Sequence, residues 1–446
     1  MLSSPWHYLT DPVLQSPTIG SMLMCLASAL VGVIVFLRKR SLLGEALSHA
    51  AYPGVVCSAL FMAVFFPDSP DFSAVAILIG AFLSALLGLW VIEAMEKKFQ
   101  VKSDAALCFV LSVFFGVGVL VASRIQFTHA LWYKTVQIFL YGQAATMTPI
   151  HVVLYASLAV LLSLVLIFLY RPIQMALFDR DFSKSVGVPV RWLDTLLFLL
   201  LVLAIVIGIR SVGVVLMAGM LIAPAVSARQ FTHRLWAVFL VAALVGALSG
   251  FFGNYLSVEL PQWGIRLGWG WNFSLPTGPM ILLSAATICF FSLLFAPRNG
   301  LVSRLVRILR FRKQCAEDHI LKSLWRRGEA GELTFDEMKK GQPLSLLQMR
   351  LLLWRMKNQG WIAESDSHQI GLTKEGRVRA TSIVRLHRLW EAYLVFLGQG
   401  AEKVHRSAEE MEHILTPELE KELVDLLGDP KKDPHAQPIP PREETL

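Results

Sequence analysis

Charge is scarce in this chain: Asp, Glu, Lys and Arg make up 17% of its 446 residues, where soluble domains carry about 25%. With 55% of residues hydrophobic, that shortage excludes an ordinary soluble enzyme and makes a membrane protein the first class to consider. Cysteines are few and unpaired in pattern. Cys25, Cys57, Cys108, Cys289 and Cys315 form no CxxC and no rhythm, which excludes a zinc ribbon and a disulfide framework. No GxxxxGK[ST] phosphate loop occurs, so the chain does not hydrolyse ATP by the usual nucleotide cradle, and any pumping needs a partner. The first apolar run has no basic residue before it and Arg38, Lys39 and Arg40 after it, so we read it as a retained span rather than a cleaved signal.

What charge there is lies mostly at the end. Residues 301–446 hold 24 of the 41 Lys and Arg and 22 of the 33 Asp and Glu, so the chain divides into two regions of opposite solvent preference. A bilayer core takes about 20 apolar residues per helix. Runs of that kind stand near 18–37, 46–66, 73–95, 105–123, 150–170, 192–210, 212–228, 236–256 and 276–296, with a shorter stretch at 133–147. These predict eight or nine spans. The basic connections at 38–40, 96–102, 170–191 and 229–234 fall on one side under a nine-span count, which makes that side cytoplasmic and the tail cytoplasmic with it.

Ionisable side chains inside a span are costly and mark function by default. In "SLLGEALSHAAYPG", Glu45 and His49 are four residues apart and share a helical face. They offer one oxygen and one nitrogen to a metal ion. The competing reading is a helix start favoured by Glu45, with His49 satisfied by a neighbouring helix. Gly54 after Pro53 predicts a break nearby. The small residues of 211–231, and Gly246 and Gly250, predict close helix packing.

Beyond Pro297 comes a basic amphipathic stretch, 298–315, read as an inner-leaflet segment or a helical linker. Residues 316–380 then give helix, helix, helix and hairpin, the order of a winged helix-turn-helix, with Met349, Leu352, Leu353 and Met356 as a buried stripe. Residues 345–388 carry eight Lys and Arg against three acidic residues, and 389–446 carry six against thirteen. A phosphate-facing half, 345–388, thus precedes an acidic one, 389–446, which makes up most of the chain's last region, 381–446. In that last region "VHRSAEEMEHIL" places His405, Glu409, Glu412 and His413 on one helical face, and His387 and Glu391 repeat the i, i+4 device upstream. Mixed nitrogen and oxygen donors of this kind suit a divalent transition metal.

The motifs "LLGEALSHAAYPG", "FDRDFSKSVGVPVRWLD", "SVGVVLMAGMLIAPAVSAR" and "LPTGPMILL" resemble the permease subunit of ABC importers for zinc, manganese and iron over about residues 15–297, within a permease domain read as 1–297. The resemblance implies a dimeric permease, as a homodimer or paired with a related permease. It also implies a separate ABC ATPase against the loop near 175–190 and an extracytoplasmic metal-binding protein outside. Glu45 and His49 fall on its pathway positions. "GLTKEGRVRATSIVRLHRLWEAYL", "VHRSAEEMEHILTPELEKEL" and "DPHAQPIP" resemble the metal-dependent repressors of the diphtheria-toxin-repressor and manganese-regulator family. By that resemblance Asp318, His387, Glu409, Glu412 and His413 form a primary site for Mn²⁺ or Fe²⁺. Glu391 and His405 form an ancillary one. Leu321 stands where manganese-type members have a glutamate. On the recognition helix Gln348, Arg350 and Arg355 are the polar candidates for operator DNA, beside apolar Leu347, Leu351 and Trp354.

The expectation is therefore a mostly α-helical chain: a polytopic inner-membrane permease followed by a winged helix-turn-helix and a helical metal-binding and dimerisation region. The tail would repress metal-uptake genes. Because a membrane-tethered reader must have DNA brought to it, we expect proteolytic release at the basic linker. Two other readings stay open: a tail that gates the permease by metal feedback without touching DNA, and a membrane anchor without transport.

Overall fold

Asp11 sets the start of the first long helix. Its Oδ1 accepts from the Val13 N–H at 2.8 Å and the Leu14 N–H at 3.3 Å, and Pro12 takes the first helical position. In the computed structural model this helix is α2 (Pro12–Leu37), preceded by the short turn α1 (His7–Thr10). The structure describes residues 4–66, 70–268, 274–328, 332–340, 344–365, 369–400 and 417–441, with 404, 408 and 411. The chain divides into two units, Met1–Ser303 and Arg304–Leu446.

In the first unit α2 is followed by α3 (Leu42–Phe65), α4 (Pro70–Lys97), α5 (Ser103–Thr128), α6 (Ala130–Tyr141) and α7 (Pro149–Phe168). Then come the short α8 (Tyr170–Phe178) and α9 (Arg180–Ser185), and after them α10 (Val190–Val212), α11 (Val214–Phe231), α12 (Leu235–Arg266) and α13 (Thr277–Phe295). Among the described residues nine helices are long and apolar enough to cross a membrane. On α4, Ile79, Leu83 and Leu87 recur every fourth residue on an outward face, as a lipid-facing stripe requires.

Lipid supplies no hydrophobic drive between spanning helices, so close backbone approach at small residues holds them together. A Cβ on Gly246 or Gly250 of α12 would come within 2.6 Å of the α2 carbonyl of Cys25 or Ser21. One on Gly54 of α3 would meet the Gly80 carbonyl of α4 at 2.0 Å. This overturns the break expected at Pro53 and Gly54: α3 runs through both. The glycine serves the α3–α4 contact, and Ser84 Oγ of α4 donates to the Ala50 carbonyl at 2.6 Å. At the basic end, Arg38 reaches Asp194 of α10 at 2.6 Å, and Arg180 at the start of α9 pairs with the same carboxylate. The α8–α9 connection is thereby tied to α10 and to the end of α2.

The second unit has its own core. It comprises all but the first turn of α14 (Leu301–Arg326), α15 (Phe335–Lys340), α16 (Leu346–Asn358), the antiparallel hairpin β1 (Ile362–Glu364) and β2 (Ile370–Leu372), α17 (Lys374–Phe396) and a last helix, Pro417–Leu427. Met349, Leu352, Leu353 and Met356 of α16 are buried against Ile320, Leu321 and Leu324 of α14, as the i, i+3, i+4, i+7 pattern predicts. Thr373 caps α17 by accepting from the Gly376 N–H at 3.0 Å. A side chain on Gly376 would strike the Trp361 carbonyl at 1.8 Å, so only glycine lets the hairpin and α17 approach. The basic stretch is helical over 301–315 and runs on without interruption into the first helix of the tail as the single helix α14. Its Leu, Val and Ile spacing continues without a breaker until Gly328, whose φ is +88°.

Candidate metal centres

In the membrane unit the sequence singles out α3, whose first turn carries Glu45. His49, one turn on, is 8% exposed, and its Nδ1 has no hydrogen-bond partner. Phe115 of α5 meets the imidazole edge to face, with centroids 4.6 Å apart. Pro53 has no N–H, so the His49 carbonyl also lacks its usual helical donor. At the next turn Tyr52 packs so closely on α5 that a Cβ on Gly118 would lie 2.4 Å from its ring. A buried polar atom without a partner calls for an explanation, and an imidazole nitrogen next to a half-exposed glutamate on one face is a donor set for a divalent ion.

The tail residues divide differently. Glu409, Glu412, His413 and His405 lie outside the described residues, and among the described residues no three His, Cys, Asp or Glu side chains gather to hold an ion. The described members, Asp318 on α14 and His387 and Glu391 on α17, are all buried. Each is engaged. His387 Nε2 lies 3.1 Å from Glu391 Oε1, and His387 Nδ1 lies 3.0 Å from the Lys322 ammonium. Asp318 Oδ1 accepts from Arg379 Nη2 at 3.5 Å, and that guanidinium stacks on Trp361 at 4.0 Å. Trp325 Nε1 donates to Thr381 Oγ1 at 3.1 Å, a further tie between α14 and α17.

These contacts place the expected primary ligand His387 and the expected ancillary ligand Glu391 in one pair. An open cleft is lined by His387, Arg388, Glu391, Asp433 and His435. The C-terminal strap past Pro430 is pinned over α17: Arg388 pairs with Asp433 and donates to the Pro438 carbonyl, and Arg385 Nη1 donates to the Pro440 carbonyl at 2.7 Å. Beside Asp318, burial pushes the Glu317 carboxyl above its ordinary range, against the pull of Arg379. Leu321 is 0% exposed and belongs to the core, which accounts for its apolar identity at that position.

Sequence reasoning missed the cations. Lys322 lies four residues after Asp318, on the same helical face, and that spacing is the signal that could have found it. Arg379 carried no such signal, because its partner is 61 residues away.

On α16, Gln348 is occupied: it completes a capping box with Ser345, its Oε1 accepting the Ser345 N–H at 3.1 Å. Arg350 is exposed, and Arg355 Nε stands 4.0 Å from Glu317 Oε1. The outward face also carries apolar residues, with Leu347 81% exposed and Leu351 and Trp354 exposed beside it.

Comparison with known proteins covers both units. The ABC 3 transport family model matches residues 10–296, and that of the iron dependent repressor, metal binding and dimerisation domain matches residues 373–441. The chain is 36% identical over 440 residues, 97% of each chain, to a probable metal transport system membrane protein of Chlamydia trachomatis serovar D. It is 33% identical over 397 residues, 89% of this chain and 87% of the other, to the manganese transport system membrane protein MntC of Bacillus subtilis. In fold it resembles PsaBC from Streptococcus pneumoniae, solved in complex with Fab, with a TM-score of 0.56 at 24% identity over 69% of this chain and 99% of that one.

Proposed function

The chain belongs to the ABC 3 transport family and carries a repressor-type metal-binding domain behind its spans, and from that premise we propose that it conducts a divalent metal inward and senses it with its own tail. The cargo is an ion of the Mn²⁺, Fe²⁺ and Zn²⁺ group. The observation that carries the transport reading is His49: buried, with an unpartnered nitrogen, one turn from Glu45. Radiolabelled metal uptake by cells producing Glu45→Ala or His49→Ala protein tests it. Uptake equal to wild type would leave the membrane unit as an anchor.

Energy comes from a separate ATPase. At the basic end, Phe178, Phe182 and Val186 on and beside α8 and α9 are exposed although large and apolar, which suits a surface covered by a partner chain. The Arg38, Asp194 and Arg180 cluster would pass force from that surface to α2 and α10. A metal-binding protein delivers the ion on the opposite side, and the permease pairs with a second copy or a related subunit.

In the tail, Asp318, His387 and Glu391 supply part of a centre that takes Mn²⁺ or Fe²⁺, completed by Glu409, Glu412, His413 and His405. The ion contributes a positive charge that several carboxylates and imidazoles share. Its binding favours the DNA-competent arrangement only if that arrangement binds it more tightly. Operator contact would fall to Arg350 and Arg355, with Gln348 freed from its cap. Footprinting of operator DNA by the purified full-length protein, with and without Mn²⁺ or Fe²⁺, tests this, since a repressor gives protection only with metal.

A second reading has its own observation. The outward face of α16 is apolar at Leu347, Leu351 and Trp354, a surface better matched to protein than to base edges, so the tail would gate the permease by metal feedback. Metal-independent or absent footprints, together with faster uptake on deleting the tail, would favour it. Release of the tail at 298–315 requires α14 to unwind there, since a protease needs extended backbone. Immunoblots for the C-terminus that show only full-length, membrane-bound protein would exclude release.

A further inference from the structure

Lys322 is an unusual neighbour for a metal ligand. It is 4% exposed, and a lysine is almost never fully buried without a partner. Its Nζ lies 3.0 Å from His387 Nδ1. An ammonium group donates and never accepts, so Nδ1 must be the accepting nitrogen, and the ring proton therefore resides on Nε2. Nε2 in turn donates to Glu391 Oε1 at 3.1 Å. In this state both nitrogens of His387 are engaged, and the one available lone pair, on Nδ1, is taken by the Lys322 ammonium rather than open to a metal. The carboxylate of Asp318 is likewise met by a cation, the Arg379 guanidinium.

We propose that Lys322 is a built-in cation of the regulatory centre, whose ammonium occupies on His387 the position a divalent ion must take. The inference rests on the reading that the tail binds Mn²⁺ or Fe²⁺ through Asp318 and His387. Two consequences follow. First, α14 and α17 are latched before any ion arrives, by Lys322 on His387, Arg379 on Asp318 and Trp325 on Thr381, so the metal-free tail keeps its fold. Second, the ion binds by displacement: Lys322 must leave Nδ1 before the imidazole can ligate. Displacement lowers apparent affinity and sets the sensor's threshold above that of an open site with the same ligands. A threshold of this kind suits a sensor behind an importer, because it stays silent until uptake has raised the internal ion well above what the bare ligands would need.

The test uses full-length protein in detergent, titrated with Mn²⁺ and read by hydrogen exchange of the α17 amides, which reports the tail separately from the membrane pair. Lys322→Gln removes the ammonium but keeps a hydrogen-bonding group toward His387. It should respond at about tenfold lower Mn²⁺ than wild type, the scale on which a ligand's hydrogen-bond partners act, and should exchange faster without metal. Lys322→Arg keeps the charge and should respond no earlier than wild type. Unchanged or weaker Mn²⁺ response in Lys322→Gln, with a normal wild-type response, overturns the displacement inference alone. No response in any of the three proteins overturns the metal-site reading and the inference with it.

Discussion

His49 and His387 are both buried histidines four residues from a glutamate, Glu45 before the first and Glu391 after the second, but they are kept in opposite states. His49 sits against an aromatic edge with one nitrogen unpartnered. His387 has both nitrogens engaged, one by Lys322 and one by Glu391. A ligand on a transport path has to fill and empty without rebuilding its surroundings, and an unpartnered donor meets that demand at the cost of a buried unsatisfied atom. A sensor has to change state when it fills, and a donor already bonded to the chain's own cation supplies two states. On the proposed reading, the same pair of side-chain types would serve as a conduit in one unit and as a threshold in the other.

The largest expected effect breaks that comparison at its centre. His49→Ala should lower metal uptake at least tenfold, the minimum expected when a metal ligand itself is lost, given that losing even a supporting partner costs 10–100-fold. His387→Ala should leave initial uptake near wild type and abolish the Mn²⁺-dependent protection of α17. Uptake assays and hydrogen exchange on the same two variants check both halves, and a large uptake defect in His387→Ala would merge the two sites into one function.

Next in size is a change that tries to make the sensor resemble its manganese-type relatives. Leu321→Glu introduces the glutamate that the resemblance to manganese-type repressors expects at this position, which the tail core fully encloses. Losing the leucine and burying a carboxyl should destabilise the metal-free second unit by about 3 kcal/mol or more. Thermal unfolding followed by intrinsic fluorescence would show a lower transition without metal and partial recovery with Mn²⁺. No recovery would mean that the added carboxylate does not reach the ion.

How much of this was legible in the sequence depends on the range of the interaction. The spans were readable because hydropathy is a local run, and the buried stripe of α16 because its period is local too. The α3 break at Pro53 was misjudged: neighbouring helices stabilise a proline-containing span, here with Ser84 Oγ donating to the Ala50 carbonyl. Gln348, a polar candidate for DNA, also completes a capping box with Ser345 three residues before it, and that local spacing is legible in the sequence. The engagement of His387 was not legible, because Lys322 is 65 residues away and only the packing of α14 on α17 joins them.

A smaller effect isolates that packing from the ionic latch. Thr381→Val removes the acceptor of the Trp325 indole N–H while keeping the shape of the side chain. The loss of one hydrogen bond should cost about 1 kcal/mol and should leave the Mn²⁺ midpoint of the tail unmoved. A shifted midpoint would mean that the α14–α17 contact as a whole, rather than Lys322, sets the threshold.

The smallest effect lies away from both centres and asks whether a carboxylate outside the candidate metal residues makes the tail respond to acid. Glu337, on α15, is held below the ordinary carboxylate range, first by the Thr334 backbone N–H at 2.9 Å and then by the Thr334 hydroxyl at 3.0 Å, with Arg327 adding a lesser pull. Because its folded pKa is depressed, its stabilising contribution is present above the unfolded value of about 4.3 and is lost as pH falls through the folded value. Hydrogen exchange of the α15 amides in Glu337→Gln should therefore be faster than wild type at neutral pH, after correction for intrinsic rates, and the difference should close on acidification below that range. The contact is exposed and at the start of a six-residue helix, so the change should stay local to α15. If instead the α17 amides follow the same pH course, the hydrogen-bonded start of α15 is coupled to the metal-binding helix, and protonation at the periphery of the tail would alter the state of His387.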